Sequence, residues 1–470
     1  MIASTSVPVE TTNSLSEGPH CATFPLAVAL TGFVFTFCAF YPGIMSPDSL
    51  DQFQQALNFQ FNDWHPPIMA ILWSGLAHIW RGPQLMLLVQ ETLFWSAVYI
   101  LLSALDIRAI WARLIVIMML FSPALLNFSG VLWKDVQLTA AWLFPVAMVF
   151  AAQTRGKKLS RPIKAFLIVL VVYGALVRIN AALVVGPLIL YVLIGRSHLD
   201  KIWLTLSAYL GLAASCFALG LIIKTVFPVA RSSVVDALYA FDLAALSTAK
   251  NENLFPFPLS EAELQSVKIC YGDGSRADPI IWGTCDFVWK NVTSTRERDK
   301  RALVRAWRSA LLQAPHLYVA QRLKHFLAFL AITRPPHENS IFMSVSSPNN
   351  FGFPEKFEGV YTLIAQYVEY FRGSVLFRPA TWLALILLAQ MSLLGPLCKT
   401  ATGRMIGVSG LVSVGYLLTF LPFGVASDFR YCNLVIGMTS FTLLTMVATL
   451  DRGLRQRRSP TQKAIAKDHF

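Results

Sequence analysis

Three aspartates and a histidine fill the first polar interruption of an otherwise apolar sequence, where they could abstract and relay a proton. Asp48 and Asp51 stand on one side of a short predicted helix, and Asp63 comes shortly before His65. A carboxylate so placed can act as a general base, taking the proton of an acceptor hydroxyl as that oxygen attacks a glycosyl carbon. Asp48, Asp51 and Asp63 are therefore the candidate catalytic residues. The alternative for Asp48 is that it caps a helix beginning at Ser49.

The imidazole of His65 is the second candidate group of this interruption. Pro66 and Pro67 follow it directly and hold its backbone in an extended conformation. From there the ring could orient a substrate or shuttle a proton. The same position also suits a histidine that only fixes a turn at the membrane interface.

Cationic side chains interrupt two predicted membrane segments and could bind an anion. Lys134 and Asp135 break an apolar hairpin at its turn, and Arg178 with Asn180 breaks a later segment. An arginine inside a membrane is costly unless it meets an anion or a buried acid. Phosphate suits this role, because guanidinium binds it through two parallel hydrogen bonds and a lysine adds point charge. The alternative for Arg178 is an internal salt bridge with Asp135 or Asp428.

Two further polar segments complete the set of candidate substrate-binding residues. Asp428 and Arg430 form a charged turn between two apolar segments near the carboxyl end. For Arg430 the same two interpretations apply, binding of an anion or a salt bridge within the protein. Arg334 and His337 lie in a proline-containing loop that we expect to be ordered. The cysteines are too scattered to form a metal cluster, so no metal ligands are assigned.

These groups must be positioned by membrane helices, because the composition excludes a soluble globule. Of the residues, 55% are hydrophobic and 14% are charged, and the mean hydropathy is positive. Only helices suit such segments, since lipid offers no hydrogen-bonding partner to an open backbone. We therefore predict an all-α polytopic membrane protein with about ten transmembrane helices. The predicted spans are 24–41, 85–105, 114–128, 136–152, 165–183, 184–194, 202–227, 377–397, 405–424 and 432–450.

The net charge of +13 is explained by topology, because the basic residues do not form a groove-sized patch with interleaved aromatics. We therefore expect no nucleic acid as a partner. If the segment 66–80 lies along the membrane surface, all the basic loops fall on one face, which the positive-inside rule makes cytoplasmic. Both termini are then cytoplasmic. The basic loops are 106–113, 155–164, 196–201, 399–404 and the tail 452–458.

The spans and loops divide the chain into four parts. Residues 1–227 form a membrane module with spans 1–7 and a first outer loop, 42–83. Residues 228–375 form an extracytoplasmic loop domain, 376–450 hold spans 8–10, and 451–470 are a basic cytoplasmic tail. Cys270 and Cys285 lie in the outer domain, where a disulfide is permitted, and the sequence leaves open whether they form one.

The pattern resembles the GT-C superfamily of integral-membrane glycosyltransferases, which includes protein O-mannosyltransferases and lipid A aminoarabinose transferases. The resemblance rests on Asp48 in the first outer loop, His65 with its two prolines, the Lys134-Asp135 turn, Arg178, and the turn 428–431. It implies a GT-C-like fold in a bacterial cytoplasmic (inner) membrane. It also implies a sugar donor on polyprenyl phosphate, taken from the bilayer, and a cell-envelope acceptor (lipid, glycan or protein).

Asp48 stands where this superfamily has its catalytic acid. The superfamily often has two adjacent acids there, whereas Ser49 follows Asp48 in this chain. The second carboxylate, and with it any use of a divalent cation, therefore stays open. A function of another class is a transporter or flippase of an anionic lipid-linked substrate, with Arg178 and Lys134 lining its path. Such carriers commonly show two related halves, which this sequence lacks.

Overall fold

The computed structural model of the chain describes residues 20–232, 234–335, 347–355 and 358–467. Within the terminal helices, side chains are described from 23 onward and up to 457. The described chain is 75% helical with almost no sheet, which confirms the predicted all-α class. Among the described residues the only strands are two residues long, and they pair in parallel as β1 (Phe61–Asn62) and β2 (Val229–Ala230). His337 and the amino-terminal residues 1–19 lie outside the described residues.

The described part of the first half forms eleven α-helices, which build most of the bundle. They are α1 (His20–Phe40), α2 (Pro47–Asn58), α3 (Ile68–Ile79), α4 (Gln84–Ala104), α5 (Ile110–Leu120), α6 (Pro123–Ser129), α7 (Lys134–Thr154), α8 (Arg161–Val177), α9 (Ile179–Ala182), α10 (Val185–Ile194) and α11 (Ile202–Val226).

The described part of the second half forms eleven more α-helices, six in the outer domain and five after it. They are α12 (Val234–Lys250), α13 (Glu261–Tyr271), α14 (Asp278–Ile281), α15 (Asp286–Arg298), α16 (Ala302–Gln313), α17 (Pro315–Phe329), α18 (Val360–Phe371), α19 (Pro379–Met391), α20 (Ala401–Leu418), α21 (Phe420–Phe423) and α22 (Asn433–Lys467).

Among the described residues, six helices are long and apolar enough to cross a membrane. A seventh crossing is obtained if α5 and α6, bent by 42°, count as one span. The other three predicted spans coincide with shorter helices, α8, α10 and α19. Ten crossings therefore stay a prediction. The apolar helices are consistent with the predicted multi-pass membrane protein.

The segment 66–80, predicted to lie along the membrane surface, forms α3. Its 12 residues span about 18 Å at 1.5 Å per residue, well short of the ~30 Å hydrocarbon layer. The helix packs on α2 and contributes Trp73, which is fully buried. Because α10 and α19, both predicted spans, are similarly short, length does not decide the matter, and the surface position of α3 stays a prediction.

The centre of the bundle is the packing of α4 on α1 and α7. Close approach of α1 and α4 depends on Gly32, because a Cβ there would lie only 2.1 Å from the Trp95 ring. The side chains of Thr36, Glu91 and Trp95 then join the two helices by hydrogen bonds of 2.5 to 3.0 Å. Such bonds keep a buried carboxyl group satisfied inside the apolar bundle.

One end of the bundle collects the basic loops. Arg455 pairs with Asp106 at 3.0 Å, and the carboxylate of Asp451 accepts the backbone N–H of Arg108 at 2.9 Å. The side chain of Lys164 donates to the Leu193 carbonyl at 2.6 Å. The start of α8 and the end of α10 therefore lie together at this end of the bundle. The candidate residues Lys134 and Arg178 lie at the other ends of α7 and α8, about 25 to 30 Å away by helix length.

The outer domain has a core of its own, built by α12 to α17. Its centre is a buried ion pair, in which Arg322 Nη2 lies 2.5 Å from Asp242 Oδ1, and the Trp307 indole donates to the same carboxylate at 2.8 Å. Cys270 and Cys285 form a disulfide between α13 and the start of α15, which resolves the alternative that the sequence left open. By packing, α18 belongs with α6 and α1.

The outer domain is fastened to the bundle through the loop between α21 and α22. Arg322 donates to the Gly424 carbonyl at 2.6 Å, and the Ala277 N–H donates to the Val425 carbonyl at 2.7 Å. The same loop continues to Asp428. The buried ion pair of the outer domain therefore also positions one side of the candidate site.

We expect Asp242→Asn to destabilise the outer domain by about 3–5 kcal/mol, because it leaves the Arg322 charge buried without its partner. The matched control is Asp286→Asn, which breaks the exposed pair with Lys290 and should change the free energy of unfolding by less than about 1 kcal/mol. Thermal unfolding of both variants in lipid nanodiscs measures the difference. Equal melting temperatures would show that the buried pair does not stabilise the domain.

Candidate functional site

The amino-terminal end of α2 places Asp48 at the floor of a cavity. Ser46 is the N-cap, since its hydroxyl accepts the Ser49 backbone N–H at 3.1 Å. The alternative that Asp48 caps a helix beginning at Ser49 is therefore wrong, because the helix begins one residue before Asp48. The Trp133 indole also donates to the Ser46 hydroxyl at 2.6 Å, which fixes this end of α2 on the turn before α7. The Asp48 carboxylate is left free to meet other groups.

The cavity has a volume of about 240 Å³ and lies between the start of α2 and the turn before α22. Its wall combines two acids, one arginine and two aromatic rings. The lining residues are Ser46, Pro47, Asp48, Phe128, Trp133, Asp428 and Arg430. Asp48, Asp428 and Arg430, distant in sequence, thus meet in one site.

Arg430 holds the two acids of the cavity together. Its Nη1 lies 2.8 Å from Asp48 Oδ2, and its Nε lies 3.3 Å from Asp428 Oδ2. Burial by itself would raise the pKa of Asp48, but Arg430 and the neighbouring His65 and Lys134 outweigh it and hold the pKa well below its usual value. Asp48 is therefore an ionised carboxylate near neutral pH, and a weak base while Arg430 is bound to it.

His65 links Asp48 to Lys134. The Lys134 ammonium donates to Nδ1 of the ring at 2.6 Å, while Nε2 lies 3.6 Å from Asp48 Oδ1. Burial and the neighbouring Lys134 lower the pKa of His65. A neutral ring that accepts at Nδ1 carries its hydrogen on Nε2, and this hydrogen faces Asp48. Lys134, His65, Asp48 and Arg430 thus form one continuous polar chain.

Arg178 lies against Asp135 behind this chain. Its Nε is 2.8 Å from Asp135 Oδ1 and also donates to the Tyr416 hydroxyl at 3.0 Å. The guanidinium also stacks over the ring of Tyr431 at 4.3 Å. Of the two interpretations of Arg178, the salt bridge with Asp135 is the one that the structure contains. Asp135 is only 2% exposed, so this salt bridge is buried in the protein behind the cavity.

The other two candidate catalytic residues have partners outside the cavity. Asp51 is exposed, and its carboxylate accepts the Gln55 amide at 2.6 Å. Asp63 pairs with Lys224 at 3.0 Å and accepts the backbone N–H of Ser232 at 2.5 Å. These bonds fasten the loop after α2 to the segment after α11, beside the pairing of β1 with β2.

Two of the predicted substrate-binding residues also lie apart from the cavity. The Asn180 amide donates to the Thr419 hydroxyl at 3.0 Å, which ties α9 to the end of α20. Arg334 pairs with Asp273 of the outer domain at 2.7 Å. His337 lies outside the described residues. The site therefore contains His65, Lys134, Asp428 and Arg430 from the predicted set, with Asp135 and Arg178 behind them.

The sequence analysis missed the aromatic wall of the site. Trp133 lies under the Arg430 guanidinium at 4.7 Å and bonds to the cap of α2, and Phe128 lines the cavity beside it. A signal was present, because Trp133 directly precedes Lys134 at the predicted turn. A tryptophan next to buried cations commonly contributes a cation–π contact.

A divalent cation does not fit the described side chains. Among them no group of three metal-ligating residues occurs. Arg430 also lies between the carboxylates of Asp48 and Asp428 and would repel a second cation there. We therefore derive no chemical step through a metal ion.

Comparison of the chain with protein-family models, with curated proteins and with solved structures gives no match.

We expect Lys134→Met to raise the pKa of His65, because it removes the ammonium that repels a second proton on the ring. Lys224→Met is the matched control, since its partner is Asp63. The pKa can be followed by NMR of histidine labelled at Cε1, with the His65 signal assigned from a His65→Gln variant. An unchanged pKa in Lys134→Met, or an equal rise in both variants, would contradict the proposed contact.

Proposed function

We propose that the protein is a membrane glycosyltransferase that moves a sugar from a polyprenyl-phosphate donor to a cell-envelope acceptor, on the extracytoplasmic face of a bacterial inner membrane. One observation carries this proposal. A cavity at the end of the bundle opposite the basic loops holds an ionised carboxylate, Asp48, and a guanidinium, Arg430. Inverting transfer requires these two charges, a base for the acceptor and a cation for the leaving phosphate.

The proposed reaction is a single displacement at the anomeric carbon, and every atom and electron pair in it is accounted for. The acceptor oxygen forms a bond to the anomeric carbon as the bond from that carbon to the phosphate oxygen breaks. The acceptor proton passes to Asp48, and the phosphate leaves with the electron pair, stabilised by the Arg430 guanidinium. The Nε2–H of His65 faces Asp48 and orients the carboxylate during the transfer. In this assignment Asp48 is the general base.

The competing function, a transporter or flippase for an anionic lipid-linked substrate, needs cations along a path through the bundle. Lys134 is bonded to His65 and Arg178 is paired with Asp135, so both cations already have partners inside the protein. The cavity also lies at one end of the bundle. These contacts support chemistry at one membrane face over passage through the bilayer.

The orientation proposed for the membrane follows from the two ends of the bundle. The basic loops gather at the end marked by Asp106 and Arg455, which the positive-inside rule places in the cytoplasm. The disulfide between Cys270 and Cys285 lies in the outer domain, and disulfides persist in oxidising compartments. We therefore place the cavity outside and both termini inside.

We expect Asp48→Asn to lower transfer by about 10²- to 10⁴-fold, because the amide cannot take the acceptor proton. The assay uses purified protein in nanodiscs, polyprenyl-phosphate donors with a labelled sugar, and an envelope extract as acceptor. Asp51→Asn, one turn further along the exposed face of α2, should keep most of the activity. Equal turnover by wild type and Asp48→Asn would exclude Asp48 as the base.

We expect a cysteine at position 157 to react with a membrane-impermeant maleimide only after the membrane is opened. The starting protein lacks every cysteine outside the disulfide pair, namely Cys21, Cys38, Cys216, Cys398 and Cys432. Ser294→Cys, on exposed α15, is the control and should be labelled from outside in intact cells. Labelling of Lys157→Cys from outside would reverse the proposed orientation.

A further inference from the structure

Three tryptophans form an aromatic cluster, Trp64 from the loop after α2 and Trp282 and Trp289 from the outer domain. The ring of Trp64 lies edge-on to Trp282, with 5.0 Å between centroids, and to Trp289 at 5.9 Å. Trp282 is 62% exposed although it is the largest apolar side chain of its loop. Exposed aromatic surface in a defined cluster commonly marks a binding site.

The cluster is connected to the candidate site in two ways, through Trp64 and through the helix that precedes Trp282. Trp64 directly precedes His65, the residue that faces Asp48. On the other side, α14 begins at Asp278, whose backbone carbonyl accepts the backbone N–H of Trp282 at 2.8 Å. Along the sequence, Trp64 is therefore next to His65 of the polar chain, and Trp282 is one helical turn from the carboxylate of Asp278.

Asp278 itself lies beside the cavity. The neighbouring Ala277 is bonded to Val425, and a bridge between Arg276 and Ala426 extends this contact. Partial burial and the nearby carboxylate of Asp428 raise the pKa of Asp278, while Arg276 and Arg430 act in the opposite direction. Asp278 keeps part of its surface exposed, so its carboxylate can still accept hydrogen bonds from a ligand.

The loop that carries Asp278 and Trp282 is held in place on several sides. The disulfide between Cys270 and Cys285 closes it, and the Cys285 N–H donates to the Pro279 carbonyl at 3.0 Å. A Cβ at Gly283 would lie 2.8 Å from Pro279 Cα, so the backbone packs closely at this point. A loop held in this way can present a pre-organised surface, which reduces the entropy lost on binding.

We propose that Trp64, Trp282 and Asp278 form a subsite that binds a carbohydrate, and hence that the acceptor of the transfer is a glycan. Sugar rings present flat C–H faces that stack on electron-rich indole rings, and their hydroxyls donate to carboxylates. The inference rests on the proposed function and names its acceptor class. Trp64 contacts Trp282 and directly precedes His65, so a glycan stacked on Trp282 would extend along Trp64 toward the candidate site.

The alternative for exposed tryptophans is an aromatic belt at the membrane surface. Along the sequence, Asp278, Thr284 and Lys290 near Trp282 are also exposed, so polar and charged groups accompany the ring in this segment. This surrounding suits a sugar, which needs a stacking face together with hydrogen-bonding groups. The two interpretations differ in whether Trp282 contacts lipid.

The experiment measures binding without transfer. Full-length protein in nanodiscs is titrated by calorimetry with soluble hexose and pentose oligosaccharides of four to six units, and no donor is present. We expect at least one series to bind, and Trp282→Ala to weaken its binding by about tenfold, as loss of ~1.4 kcal/mol of stacking would do. Trp282→Phe keeps a stacking ring and should restore most of the affinity. Trp203→Ala removes a tryptophan that is 76% exposed at the opposite end of the bundle and should bind like wild type.

Asp48→Asn separates failure of this inference from failure of the proposed function. It should keep the Trp282-dependent binding of the oligosaccharides, because Asp48 is not part of the subsite, while its transfer falls by about 10²- to 10⁴-fold. Failure of every series to bind, or equal binding by wild type and Trp282→Ala, would overturn the subsite and leave the transferase proposal standing. Binding that depends on Trp282 without any transfer by wild type would instead retain the subsite and reject the transferase. Quenching of Trp282 fluorescence by brominated lipids would assign the ring to the membrane surface and overturn the subsite.

Discussion

The ion pair between Asp48 and Arg430 is the interaction on which the site depends. Both groups lose most of their water on folding, and their mutual attraction compensates for that loss only if every neighbouring charge is also matched. The chain from Lys134 through His65, Asp48 and Arg430 to Asp428 supplies this matching. Its members come from distant parts of the sequence, so the site exists only when these segments are packed together.

Two structural units position these segments. The bundle holds Lys134 at the start of α7 and fixes α2 on the preceding turn, through the bonds of Ser46 and Ser49 to Trp133 and Leu132. The outer domain holds the loop before Asp428, through Arg322 and Ala277. The cavity lies where the two units meet. A change in the buried core of the outer domain can therefore alter the geometry of the carboxylates without touching them.

The fold class and the gathering of charges could be predicted from the sequence, whereas the pairing of those charges could not. Burial of Lys134, Arg178 and Arg430 requires anionic partners, and this requirement alone predicts that they gather near acids. It does not say which acid each cation meets. Asp63 pairs with Lys224, where the loop after α2 meets the end of α11, although Asp63 lies in the same polar segment of the sequence as Asp48. Partner choice depends on three-dimensional packing, which charge and spacing do not encode.

The same limit applies to local structure. Aspartate and serine both cap helices well, so the residue types around Asp48 could not decide which one is the cap. The structure places Ser46 there because the Trp133 indole bonds to the same hydroxyl. This choice has a chemical consequence, since a carboxylate used as a cap would be turned into the backbone of α2. Under the proposed function, a donor phosphate bound by Arg430 competes with Asp48 for the guanidinium, and the released carboxylate becomes a stronger base only once the donor is in place.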